Sequence, residues 1–315
     1  MKLVVLIPAY NEEDNIAKTI LSIPRRVLGI DDVRVLVVND GSTDRTIEHA
    51  LNGGAEKIVS HKKNMGVGAA FMTGIRTTIT MNADIVVAVD ADSQFDSNQI
   101  PELVAPILNN QADVVIGSRF QENIPKNIPK IKLFGNKVFS KLVSLVVGQK
   151  FTDTQTGFRA YSKEALRSIS VVNDFTYTQE ALIDLKFKGF RIMEVPVSVR
   201  YDDKRKSRVV KSIFKYTVRC LSIIGRTLLY HRPVFSFGVL GTVFIAGGIS
   251  AKIITILAPF GINSSLSTGF IILGAVSFMM GIFASVVFRR QSFAEKELRH
   301  YLSNSISFQA KTEIQ

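Results

Sequence analysis

The 315-residue chain has a single cysteine, no tryptophan, and 27 acidic residues against 39 Lys and Arg. Cys220 alone excludes an intrachain disulfide, which fits a reducing compartment. Without Trp, a membrane anchor must take its interfacial aromatics from Tyr230, Phe235 and Phe237. The formal net charge of +12 calls for a polyanionic partner: nucleic acid, an anionic membrane face or a phosphorylated substrate. No secretory leader is expected from the opening residues, because Leu3 to Ile7 is too short for its apolar core and Pro8 cuts it off. The expectation is that the first 230 residues stay in the cytosol. The first 120 residues show no internal repeat and no low-complexity segment.

What is present is a set of apolar strands with polar tips. Val35–Val38 runs into Asn39-Asp40-Gly-Ser, and Ile85–Val89 runs into Asp90-Ala-Asp92-Ser-Gln94. A third strand, Leu3–Ile7, runs into Pro8-Ala-Tyr10-Asn11-Glu12. Strands alternating with helical stretches predict a parallel doubly wound α/β sheet, whose ligands sit beyond the carboxyl ends of the strands. Taken singly, Asp-Gly-Ser is a turn and helix cap, and Asp-x-Asp is a solvated acidic pair. Together, three carboxylates at one edge need compensating charge. A divalent ion carried by a ligand's phosphates supplies it, since Mg²⁺ and Mn²⁺ take oxygen donors and need only one or two protein carboxylates.

At these residues the chain resembles the family 2 (GT-A fold) glycosyltransferases. The matching segments are Ile7–Glu12, Val38–Asp44, Asn64-Met-Gly66-Val-Gly68, Asp90–Gln94 and Gly117-Ser-Arg119, in the expected order. Further on, Asp153–Arg159, Glu194-Val-Pro196 and Lys206-Ser207-Arg208 are similar to the dolichyl- or polyprenyl-phosphate branch, which is dolichol-phosphate mannosyltransferase-like. Asn39 departs from the pattern, since many relatives carry a second Asp there. The resemblance implies a GT-A (Rossmann-like) catalytic domain and a nucleotide-sugar donor. Pro8, Tyr10, Glu12, Asp40, Gly68 and Asp90 would bind that donor, with Asp40 accepting from the base edge. Asp92, Asp90 and Gln94 would hold Mg²⁺ or Mn²⁺, a Lewis acid on the diphosphate leaving group. Asp92, Arg119 and Asp153 are the expected catalytic residues.

The acceptor decides whether a base is needed. A sugar hydroxyl requires one, and Asp153 or Glu180 would have to serve; the alternatives for each are an orienting residue, a helix cap or a salt-bridge partner. A lipid phosphate, with a second pKa of about 6, is already anionic near neutrality and needs cationic positioning instead. Arg119, Arg159, Lys206, Ser207 and Arg208 are the candidates, with Arg favoured for its two-pronged geometry. The rivals are a family 2 transferase acting on a glycan hydroxyl and an inactive membrane scaffold. A processive synthase is excluded because its Gln-x-x-Arg-Trp motif needs a Trp. Intact Asp40, Asp90 and Asp92 argue against the scaffold. Nucleic acid is not an expected partner, because the basic residues lack an interleaved aromatic platform.

From Lys130 the texture changes. Ile131, Phe134, Val138, Leu142 and Leu145 recur at helical spacing among Lys132, Lys137 and Lys141. A second basic amphipathic helix is expected over about 209–229, where Lys211, Lys215 and Arg219 step by four. Such helices can lie in a membrane interface. Val234–Ala251 and Ser267–Phe288 can each cross roughly 30 Å of hydrocarbon at about 1.5 Å per residue, with Lys252 closing the first span. Arg226 and Arg232 before the pair and Arg289-Arg290 after it predict cytosolic ends and an outside loop. Ser277, Gly281 and Ser285 form a small-residue ridge suited to helix packing, within the chain or in a homo-oligomer. The expected organisation is a cytosolic catalytic domain over 1–230, two transmembrane helices over 231–290 and a cytosolic tail over 291–315 of a two-span cell-membrane protein.

Overall fold

The computed structural model of the protein describes residues 1–122, 128, 130–171, 176–200, 213–257 and 264–312. Two compact units result, Met1–Ile224 and Gly225–Gln315. In the first, β1 (Lys2–Ala9), α1 (Ile16–Leu21), β2 (Asp32–Asn39), α2 (Thr46–Asn52), β3 (Lys57–Ser60), α3 (Val67–Thr80), β4 (Ile85–Ala88), α4 (Ile100–Leu108) and β5 (Val114–Ser118) follow the expected alternation. Then come α5 (Lys130–Val147), β6 (Arg159–Ser162), α6 (Lys163–Ser168), α7 (Thr178–Phe187) and β7 (Ile192–Pro196). Helix α8 (Ile213–His231) runs from the first unit into the second.

The seven strands are ordered β3-β2-β1-β4-β6-β5-β7. Pairs β1–β2, β1–β4, β2–β3 and β5–β7 are parallel, as expected of strands joined by helical crossovers. The departure is β6, which enters between β4 and β5 and runs antiparallel to both. The sheet is therefore mixed rather than wholly parallel. Alternation along β1 divides the core between the two faces: Val4 and Leu6 pack on one side, Leu3, Val5 and Ile7 on the other. All five are fully buried. Such a residue is worth about 1.5–3 kcal/mol relative to exposure, which explains why β1 reads as an unbroken apolar run.

Helix α5 forms where its periodicity places it. Its inner face is Asn136, Phe139, Ser140, Val143 and Val147. Its outer face exposes Phe134, Val138 and Leu145 among Lys132, Lys137 and Lys141. Helix α8 likewise buries Cys220, Ile223 and Ile224 while exposing Val218 and Leu221.

The second unit is dominated by α9 (Pro233–Leu257) and α10 (Ser264–Thr312). Residues Pro233–Leu257 and Ser265–Phe288 are long and apolar enough to cross a membrane. The first apolar stretch is longer than the span expected to close at Lys252; Lys is a good helix former and helix α9 runs on to Leu257. Helix α10 likewise continues past Arg290. The small residues lie between these two helices. A Cβ on Gly241 would sit 2.8 Å from the Gly274 carbonyl oxygen, and one on Gly248 2.8 Å from that of Ser267. Gly281 meets Phe237, and Ser277 Oγ donates to the Phe237 carbonyl at 2.9 Å. Ser277 and Gly281 of this ridge thus pack against α9 within the chain.

Candidate active site

The carboxyl ends of β1, β2 and β4 converge on one edge of the sheet. The turn after β1 carries Asn11 in the left-handed region (φ 53°), which Asn tolerates. Asn11 N–H donates to Ser42 Oγ at 2.9 Å, and Thr43 N–H donates to Asn11 Oδ1 at 2.8 Å. Glu12 N–H donates to Thr46 Oγ1 at 2.8 Å, so the tips of β1 and β2 are laced together. Glu12 is buried at this junction, while Tyr10 stands exposed beside it. Pro8 lies within β1 opposite Val38.

Asp40 is buried and its oxygens are engaged. Oδ1 accepts from Met65 N–H at 2.9 Å and lies 2.7 Å from His61 Nδ1; Oδ2 accepts from Gly66 N–H at 2.8 Å. His61 Nε2 in turn lies 2.9 Å from Thr73 Oγ1 on α3. Beside Asp40, Gly41 has φ +72°, and a Cβ there would fall 2.5 Å from the Lys63 backbone. Only glycine admits that approach. Asp40 thus ties the 61–66 loop to the end of β2 and brings Gly66 and Gly68 to the start of α3. The expected donation from a nucleobase would add to an oxygen set that already serves this loop. His61 went unnoticed in the sequence because an isolated histidine carries no local pattern.

The β4 tip is built differently. Thr19 of α1 donates to the Ala91 carbonyl at 3.1 Å and its Oγ1 lies 2.7 Å from Ser93 Oγ. Ser93 has φ 57°, and Gln94 N–H donates to Asp92 Oδ1 at 3.2 Å, so the Asp92 turn is fixed from below. Gln94 also accepts from Arg200 N–H at 2.9 Å through its own carbonyl. Burial pushes the Asp90 carboxyl up to about 7; the neighbouring Asp92 carboxylate adds to the rise and the Arg119 guanidinium opposes it. Glu12 raises it further and Arg159 lowers it, so Glu12, Asp90, Asp92, Arg119 and Arg159 share one electrostatic neighbourhood. Among the described residues no group of three or more His, Cys, Asp or Glu is arranged to hold a metal alone. The oxygen-only pair Asp90–Asp92 and its strained charge nevertheless fit a hard divalent cation that brings phosphate oxygens with it.

Arg119 follows β5 and is gripped by Asp153. Its Nε donates to Asp153 Oδ2 at 2.6 Å and its Nη2 to Oδ1 at 2.9 Å. Asp153 is wholly buried. Its backbone N–H, together with that of Thr152, donates to Glu194 on β7 at 2.9 Å. Burial raises the Glu194 carboxyl against these hydrogen bonds. Glu194 therefore sets the turn that sets Asp153, which holds Arg119. A carboxylate engaged in this way is poorly suited to act as a base, so the geometry does not support that expectation for Asp153. Glu180 is buried on α7.

Arg159 requires a correction. It was expected to meet the acceptor phosphate, yet it is fully buried. Its Nε, Nη1 and Nη2 donate to the carbonyls of Thr156, Thr178 and Thr154 at 3.0, 2.6 and 2.8 Å. A guanidinium offers five donors in a fixed fork, and here that fork pins the 154–157 loop to α7. Lys206, Ser207 and Arg208 lie outside the described residues.

A mixed α/β sheet with an acidic crevice at its carboxyl edge is the architecture of GT-A transferases. The chain belongs to glycosyl transferase family 2, whose model matches residues 4–170. It is 32% identical over 247 residues to UDP-N-acetylglucosamine–dolichyl-phosphate N-acetylglucosaminyltransferase of Methanococcus voltae, covering 71% of this chain and 97% of that one. It is 32% identical over 199 residues to dolichyl-phosphate hexose transferase of Haloferax volcanii, covering 63% and 82%. Its fold resembles that of glucosyl-3-phosphoglycerate synthase from Mycobacterium tuberculosis, solved with Mn²⁺, UDP and phosphoglyceric acid. That likeness has a TM-score of 0.56 at 24% identity, over 73% of this chain and 78% of the other.

Proposed function

We propose that the protein transfers one sugar, with inversion, from a nucleotide sugar to a dolichyl or polyprenyl phosphate at the cytosolic membrane face. The observation that carries this reading is the charge-crowded Asp90–Asp92 tip, set between the Asp40-anchored loop and the Asp153-held Arg119. Asp92 and Asp90 would hold Mg²⁺ or Mn²⁺, with Gln94 beside them; the bound ion supplies Lewis acidity to the departing diphosphate. Tyr10 and Glu12 line the donor's nucleoside end, and the 61–66 loop with Gly68 at the start of α3 walls it. Arg119, presented by Asp153, faces the anionic acceptor, with Lys206, Ser207 and Arg208 as further acceptor groups.

The acceptor assignment draws on relatives named for dolichyl phosphate and on the two apolar helices. The exposed apolar and lysine residues of α5 suit an anionic lipid surface. Engagement of Asp153 by Arg119 favours an acceptor that is already anionic over a hydroxyl that needs a base. Arginines flanking the apolar pair favour cytosolic ends.

The test offers the purified protein a panel of GDP- and UDP-sugars with polyprenyl phosphate and extracts labelled lipid. A chelator-sensitive lipid-phosphate sugar is expected. Transfer only to free glycans, or none in any combination, would overturn the reading.

A further inference from the structure

We propose that Gly157 is a positioning residue for Asp90: the side chain it lacks is the space the Asp90 carboxylate occupies. The proposal rests on Asp90 and Asp92 forming the donor edge described above. Strands β4 and β6 pair antiparallel with Ala88 opposite Arg159, and continuing that pairing by two residues sets Asp90 opposite Gly157. A Cβ on Gly157 would lie 2.6 Å from Asp90 Oδ1, 3.0 Å from Oδ2 and 3.1 Å from Cγ. All three nearest atoms thus belong to a single side chain. Gly157 is absent from the positive-φ glycines, so the need there is for room rather than for glycine's backbone freedom.

The backbone at 157 is held on both sides. Tyr177, stacked on Phe71 with ring centroids 3.7 Å apart, donates to the Gly157 carbonyl at 3.4 Å. Arg159 grips the carbonyls of Thr154 and Thr156 just upstream. An added methyl therefore displaces the end of the Asp90 side chain more readily than the chain itself. In a preorganised site, misplacement by about 1 Å can cost on the order of 100-fold.

The test measures Mn²⁺-dependent binding of UDP and of GDP by calorimetry on the full chain, with thermal melting alongside. Gly157→Ala should weaken that binding tenfold or more while the melting temperature changes little. Gly135→Ala, where an added Cβ meets nothing within 4 Å, should leave that binding unchanged. In an Asp90→Ala background the methyl has room, so adding Gly157→Ala should alter the residual binding less than twofold. An equal loss in both backgrounds would mark a merely structural glycine and overturn the proposal. Unchanged binding in Gly157→Ala would overturn this role alone. A wild-type protein that binds neither nucleotide with Mn²⁺ would overturn the functional reading as well. If Gly157→Ala fails to fold, the double variant must fold, and its failure would count against the proposal.

Discussion

One aspartate immediately precedes β4 and another follows two residues after its end, and the protein treats them in opposite ways. Asp84, on the entry side, accepts from Lys2 N–H at 2.9 Å and pairs with Lys163 at 3.2 Å; these contacts hold its carboxyl below the ordinary range, the backbone hydrogen bond first. Asp113, which precedes β5, is held low by Arg191 in the same way. Asp90, on the exit side, is pushed up to about 7 by burial and by Asp92. The entry edge of the sheet neutralises its acids within the chain. The exit edge leaves acids competing with one another, and that imbalance is what a bound cation and its phosphates would relieve.

Substitutions at the Asp90–Asp92 tip should break function before stability. The largest effect is expected at Asp92: Asp92→Asn should lower metal-dependent sugar transfer by orders of magnitude, with a melting temperature near wild type. Full transfer by wild-type protein in excess EDTA would show that the exit edge needs no cation. Asp153→Ala should act through folding instead, because it strips a buried, two-pronged partner from Arg119. The loss expected is about 3–5 kcal/mol in denaturant unfolding. A variant of full stability would show that the Arg119 pair does not hold this part of the fold.

Asp40→Ala should cost less, about 1.5–3 kcal/mol, since it removes a charged acceptor from Met65 and Gly66 N–H. Faster hydrogen exchange confined to residues 61–66 would locate the damage. The smallest effect belongs to the entry edge: Asp84→Asn should cost no more than about 1 kcal/mol, as solvent-screened pairs do. Because the folded-state value of Asp84 lies below its ordinary value of 3.8, its contribution is present above that pH. It fades as pH falls through the folded value, so wild type and Asp84→Asn should converge in acid. Equal separation at every pH would show that charge is not the cause.

The β1, β2 and β4 tips were legible in the sequence because each strand is an apolar run that ends abruptly in polar residues. Helices α5, α9 and α10 were legible as periodicity or as length. Pairings made across the fold were not. Arg119 and Asp153 meet over 34 residues, and neither bears a local mark of the other. The four residues of β6 could not reveal an antiparallel insertion between β4 and β5. Arg159 misled for a related reason: an arginine in a polar motif suggests a ligand, whereas three backbone carbonyls inside the fold satisfy this one.

The contacts between α9 and α10 have a spacing of their own. Going back along α9 from Gly248 to Gly241 to Val234 takes steps of seven, and the residues they meet on α10 advance by seven, from Ser267 to Gly274 to Gly281. Such a seam follows the 3.5-residue repeat of helices that coil about each other with a left-handed twist. Sliding one helix by a single residue would replace carbonyl-to-glycine contacts with collisions, so axial slip is blocked. A bilayer of changed thickness would then meet the hairpin as one rod, which can answer by tilting but not by telescoping.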